Sequence, residues 1–228
     1  AMSAQQIATA LTQSSEDIWV TIPEGKRADE IADILKEKIP TYEENWRTLL
    51  NQNEGYLFPD TYRIAKDATI EQIISQLRTT FDQKYQTVAN TAGKSKEELT
   101  TIASLIEREA RHDEDRPLVS SVIHNRLDIG MKLDLDATIQ YALGYQKAEN
   151  TWWKRHLTYA DLALSSPYNT YKVAGLPPTP ISNPGVESLE AAANPANTEY
   201  FYYLSDTNGI NHYSKTLEEQ ERNKEKYL

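Results

Sequence analysis

Two glutamates on one predicted helix have the residue type and the spacing for acid-base chemistry. They lie in TIASLIEREARH, at Glu107 and Glu109. Cutting an acetal requires a carboxylic acid that stays protonated near neutral pH. The usual device is to place it among apolar groups that penalise its charged form. At about 100° per residue, Glu109 falls within the stripe made by Ile102, Leu105 and Ile106, whereas Glu107 lies at its edge beside Ala103 and Ala110. This placement favours Glu109 for burial and Glu107 for a cleft wall, where small alanines leave room for a substrate. The competing structural reading pairs one glutamate with Arg111 or Arg126 and leaves the other solvated.

Other chemistries find less support. The histidines, His112, His124, His156 and His212, do not form an HExxH pattern, and there is no cysteine. No metal and no cofactor are therefore expected. No GxSxG elbow marks a serine nucleophile. Leu133-Asp134-Leu135-Asp136 offers a carboxylate pair, but Asp136, just before Ala137-Thr138-Ile139, reads as a helix N-cap.

Composition narrows the partners. With 24 basic against 34 acidic residues the net charge is −10, and no basic cluster alternates with aromatics, which speaks against nucleic acid. Tyr 14 and Trp 4 outnumber Phe 3, so the rings mostly carry a hydrogen-bonding edge, suited to sugar or peptide surfaces. No apolar run approaches the roughly 20 residues that cross a bilayer. Ala1-Met2 reads as an expression scar ahead of a start inside a longer protein.

The elements that must position these groups follow from periodicity. Val20 and Ile22 alternate as a strand, Pro23-Glu24-Gly25 turns, and Ile31, Ile34 and Leu35 line a helix. The same grammar recurs at Tyr62-Arg63-Ile64, the turn Asp67-Ala68-Thr69, and a helix bearing Ile70, Ile73, Ile74 and Leu77. Two small α+β units are thus expected. Two packed helices follow, with a break near Pro117. Next comes the tyrosine-studded loop SSPYNTYKVAGLPPTPISNPG, then a helix over Val186 to Ala193. A hairpin turning at Asp206-Thr207-Asn208-Gly209 and a charged helix from Leu217 complete the chain. The fold class is α+β: a tail over 1–16, a small α+β subdomain over 17–92, and a mixed helical/β catalytic domain with long ordered loops over 93–228.

The strings EGYLFPDTYRI, LIEREA, SSVIHNRLDIGMKLDLDATIQYALG, SSPYNTYKVAGLPPTPISNPG and YFYYLSDTNGINHYSKTLEEQERN occur here in order. Together they resemble the endolytic murein transglycosylase family (MltG, YceG-like), from about Val20 to the end. The resemblance implies a bacterial cell-membrane protein with a single N-terminal transmembrane helix, absent from this chain, and an extracytoplasmic catalytic region. It implies a LysM-like N-terminal subdomain that contacts peptidoglycan glycan strands. Cell-wall synthesis enzymes are candidate companions.

It also implies a lytic transglycosylase that cuts the MurNAc-GlcNAc β-1,4 bond within nascent strands, leaves 1,6-anhydro-MurNAc ends, and terminates strand elongation. The family's catalytic glutamate falls on Glu107, with Glu109 as its packed neighbour and secondary candidate. Tyr168, Asn169 and Tyr171 are candidates for holding the sugar ring and its N-acetyl group, with Asn125 and Ser166 as second choices. The sequence departs from the family pattern at Ala137, where proline is common, and at Gln220, where histidine is common; neither change removes an acid or base. The rival functions are a non-catalytic peptidoglycan-binding scaffold and a muramidase-type hydrolase.

Overall fold

A computed structural model describes Ser3 and residues 17–228; the tail expected over 1–16 lies, apart from Ser3, outside them. Strand β1 (Ile18–Thr21) pairs antiparallel with β2 (Thr61–Ile64), Val20 opposite Tyr62. The two strand-turn-helix stretches therefore share one sheet and one core, where the sequence suggested two units. A two-stranded ribbon cannot bury enough surface by itself. Helices α1 (Ala28–Lys38), α2 (Trp46–Asn51) and α3 (Ile70–Tyr85) supply the cover, and Ile22, Ile31, Leu35, Leu50, Ile64 and Leu77 form a single cluster. Thr69 caps α3: its hydroxyl accepts from the Gln72 N–H, and the Gln72 side chain accepts from the Thr69 N–H.

Helix α3 runs past the point where the sequence turns polar. Ile73 and Leu77 pack into the first cluster, and Phe81, one turn on, packs into a second one. At the centre of that second cluster is α4 (Lys96–Glu109), started by a capping box between Ser95 and Glu98. Every residue from Leu99 to Ile106 is buried, so the helix is enclosed on all sides rather than along one stripe. Each large apolar side chain there contributes about 2 kcal/mol through burial. The polar ones are satisfied locally: the hydroxyls of Thr100, Thr101 and Ser104 donate to the carbonyls of Lys96, Glu97 and Thr101.

The enclosing elements are α5 (Arg116–Asp128), α6 (Asp136–Leu143) and α8 (Val186–Ala193), of which α8 packs most extensively on α4. The break near Pro117 is a 3₁₀ turn at Asp113–Asp115, and Pro117 sits in the first turn of α5, where its missing N–H costs nothing. Asp136 is not the N-cap the sequence suggested. It is the first residue of α6, preceded by Leu135, whose N–H is held by Thr170 Oγ1 at 3.0 Å. A distant loop takes over this terminal group, which leaves the Asp136 carboxylate to accept from Tyr171 OH at 2.6 Å.

A short helix α7 (Tyr159–Leu162) precedes the proline-rich loop. Strands β3 (Tyr202–Ser205) and β4 (Asn211–Ser214) form the expected hairpin, and α9 (Leu217–Tyr227) packs on it. The architecture is α+β. Asn183, fully buried, links the two clusters: its Oδ1 accepts from the Leu57 N–H, and its Nδ2 donates to Lys26 O and Glu54 Oε1.

Candidate active site

The last turn of α4 carries Glu107, Arg108 and Glu109 in three directions. The Glu107 side chain is only 7 % exposed. Its Oε2 accepts from the Gly185 N–H at 3.0 Å and from Ser188 Oγ at 2.8 Å, and Oε1 lies 3.6 Å from Arg116 Nη2. Gly185 is the N-cap of α8 and has no side chain to cap with. A carboxylate from another helix does that work, at the end of the helix where the dipole favours negative charge. Arg116 is shared, since its Nε donates to Ser188 Oγ at 3.1 Å and its guanidinium also pairs with Asp113.

The expected cleft-wall position is thus a lidded one. A helical wheel assumes one packing partner, whereas α4 has neighbours on every side. The ion pair contemplated for a glutamate does exist, but with Arg116. Arg126 spends its guanidinium on the carbonyls of Phe201, Lys132 and Leu133, and Arg111 lies against Gly209. Arg116 also lines a groove of about 450 Å³ together with Asp113, Pro117, Glu187, Glu190 and Asn194.

Glu109 has different company. Tyr203 OH donates to its Oε2 at 2.8 Å, and burial holds its pKa above the ordinary 4.5, with the negative charge of Asp136 adding to the rise. Tyr171, bonded to Asp136, belongs to the same group, and burial and Asp136 push its phenol upward. Between the two carboxylates, Arg108 stacks 3.8 Å from the centre of the Trp153 ring, whose Nε1 donates to Glu30 at 2.8 Å; burial lowers the Arg108 pKa.

The other expected binding residues divide. Tyr168 keeps its hydroxyl near the surface, bonded to Thr179 Oγ1 at 2.7 Å, with its ring 5.0 Å from that of Tyr141. Asn169 is 0 % exposed: its Nδ2 donates to Leu162 O and Leu164 O and its Oδ1 accepts from the Tyr171 N–H, so its amide braces the loop. Ser166 Oγ accepts from the Tyr168 N–H at 3.2 Å. Asn125 is elsewhere, on α5, tying down the carbonyls of Thr198 and Tyr200. Gln220, where the family commonly has histidine, bonds Ser214 Oγ and Tyr203 O and is structural. The residues around Glu107 that sequence analysis missed are Arg116, Gly185 and Ser188. Only Gly185, just ahead of a predicted helix, carried a signal, as a capless N-cap.

Among the described residues no cluster of histidine and carboxylate side chains could hold a metal, and no helix is long and apolar enough to cross a membrane. The sequence pattern of the YceG-like family matches residues 1–226. A Bacillus subtilis (strain 168) protein named endolytic murein transglycosylase is 40 % identical over 203 residues, covering 85 % of this chain and 54 % of that relative. A protein of the same name from Streptococcus pneumoniae D39 is 34 % identical over 193 residues, covering 83 % of this chain and 34 % of the relative. The chain therefore spans between a third and about half of these relatives. The crystal structure of a yceG-like protein from Listeria monocytogenes superposes with a TM-score of 0.78 at 34 % identity, covering 97 % of this chain and 81 % of that one. The α+β fold, the ordered motifs and these similarities agree: this chain belongs to the YceG-like family.

Proposed function

We propose that this chain is the catalytic part of an endolytic peptidoglycan lytic transglycosylase in which Glu107 is first the acid and then the base. The observation that carries this reading is the seat of Glu107: a carboxylate in the last turn of a buried helix, held by the Gly185 N–H, Ser188 and Arg116. The names of the relatives from Bacillus and Streptococcus supply the substrate class.

Protonated, Glu107 gives its proton to the glycosidic oxygen leaving the MurNAc anomeric carbon. As the carboxylate, it then takes the proton of that sugar's own C6 hydroxyl, which closes the 1,6-anhydro ring. An internal hydroxyl is held at high effective concentration, so no second carboxylate is needed to direct a water. Ser188 suits a residue that changes state. Its hydroxyl donates to the carboxylate and can turn to accept from the acid, while the Gly185 N–H stays fixed. Tyr168 and Tyr171 are the loop residues best placed to meet sugar, because the amide of Asn169 is committed to the backbone.

On the same reading, residues 17–92 form a LysM-like unit that engages glycan strands and residues 93–228 carry the chemistry. A preceding membrane helix places both outside the cytoplasm. There the cuts end strand elongation beside the synthetic enzymes.

The test is digestion of purified sacculi followed by mass spectrometry. The wild type releases 1,6-anhydro muropeptides that resist borohydride reduction, and Glu107→Gln binds sacculi but releases none. Reducible ends would make the protein a hydrolase, and binding without release by the wild type would make it a scaffold. A second reading has one observation behind it: Glu109 is the α4 carboxyl with the raised pKa. Glu109→Gln in the same assay separates the two.

A further inference from the structure

The turn between β1 and α1 belongs to the N-terminal cluster in sequence but is fastened to the loop that carries Gly185. The Gly25 N–H donates to Asn183 O at 3.0 Å, and the Asn183 N–H and Nδ2 both return to Lys26 O, at 2.9 and 3.0 Å. Gly25 takes φ +70°, the left-handed region that favours glycine, and a side chain there would meet Cγ of Glu107 at 3.5 Å.

Glu24, beside it, reaches over Gly185. Its Oε1 lies 2.1 Å from where a Cβ at position 185 would stand, and its Oε2 3.0 Å. The Glu24 carboxyl thus rests on the residue whose N–H holds Glu107. Although Glu24 sits at the rim, its pKa is raised, first by desolvation and then by the charge of Glu107. The other charges facing it are Glu187 of α8 and Asp113 of the 3₁₀ turn, which add to the rise, and Arg116 of α5, which opposes it. Arg108 of α4 faces the same turn through Gly25 O.

We propose that Glu24 is a positioning residue of this active site, a second carboxyl contributed by the N-terminal cluster, whose charge holds the proton on Glu107 that the first step consumes. The proposal rests on Glu107 being the acid and base. The Gly185 N–H, Ser188 and Arg116 all stabilise a carboxylate at Glu107, so an opposing charge is needed if the acid form is to be available near neutral pH. A negative charge at Glu24 opposes a second one at Glu107, and removing it removes that opposition.

The experiment is the pH profile of anhydro-muropeptide release from sacculi for the wild type, Glu24→Gln, Glu24→Asp and Glu107→Gln. Glu24→Gln, altered at a solvent-facing rim, is expected to melt and to bind sacculi like the wild type. Its alkaline limb moves to lower pH by about half a unit or more, with a several-fold loss above neutrality. Glu24→Asp restores part of that shift. An unmoved limb, or an equal loss at every pH, overturns the proposal. If the limb stays put while Glu107→Gln is inactive, only the role of Glu24 fails; if Glu107→Gln is fully active, the reading of Glu107 fails and the role of Glu24 with it.

Discussion

Glu107 and Glu109 stand two positions apart on one helix, and their surroundings share almost nothing. Glu107 meets a helix N-terminus, a hydroxyl and a guanidinium. Glu109 meets a tyrosine hydroxyl and a second carboxylate, and burial keeps it inclined to hold its proton. Residue type and helix position are nearly equal in the two. What differs is the elements packed on each side: α8, α5 and the β1–α1 turn around one, and α6 with the β3–β4 hairpin around the other. A perturbed pKa taken alone points to Glu109, whereas Glu107 is the carboxylate that a helix N-terminus, a hydroxyl and a guanidinium surround.

The largest expected effect separates the two directly. Glu107→Gln lowers anhydro-muropeptide release by about a hundredfold or more, while Glu109→Gln lowers it by less than about tenfold. A deeper loss at Glu109, read by mass spectrometry of the digest, inverts the assignment.

Next in size, Ser188→Ala strips one donor from Glu107 and leaves Arg116 Nε without its 3.1 Å partner. It should cost about 1–3 kcal/mol in denaturant unfolding and about tenfold in turnover. A stability loss with unchanged turnover would reduce Ser188 to a structural bridge.

A third carboxyl extends the comparison. Glu54 joins the two clusters, accepting from the Ala28 N–H, Asn183 Nδ2 and Tyr141 OH, and burial pushes it from 4.5 up to about 8. Because the folded state keeps this proton longer than the unfolded chain, the contribution of Glu54 to stability is fully present below about pH 4.5 and is lost as pH rises towards about 8. The slope is at most about 1.4 kcal/mol per pH unit. Melting curves across that range should show the decline, and Glu54→Gln should flatten it.

The smallest effect is at the far end of α4. Ser95→Ala removes the cap and should cost about 1 kcal/mol with no change in activity per folded molecule. A catalytic loss there would mean that the helix start, and not only its last turn, sets the site.

Short-range patterns in the sequence were enough to mark β1, the apolar faces over 31–35 and 70–77 of the next helices, α4, the helix Val186–Ala193 and the closing hairpin. Alternation, helical period, the cap in the Asp67-Ala68-Thr69 turn and the turn at Gly209 are all written within a few residues. Those same patterns also placed a carboxylate pair at the end of α4, and the ordered motifs carried the family. They could not show that β1 and β2 join in one sheet, that Asp136 gives up its capping role to Thr170, or that Asn169 is used up inside its own loop. Nor could they find the surroundings of Glu107, whose hydrogen-bond partners Gly185 and Ser188 lie 78 and 81 positions away. Local backbone preference depends on immediate neighbours, but the field at a buried carboxylate depends on whatever dipoles and charges the folded chain brings within a few ångströms. Only the tertiary structure fixes which those are.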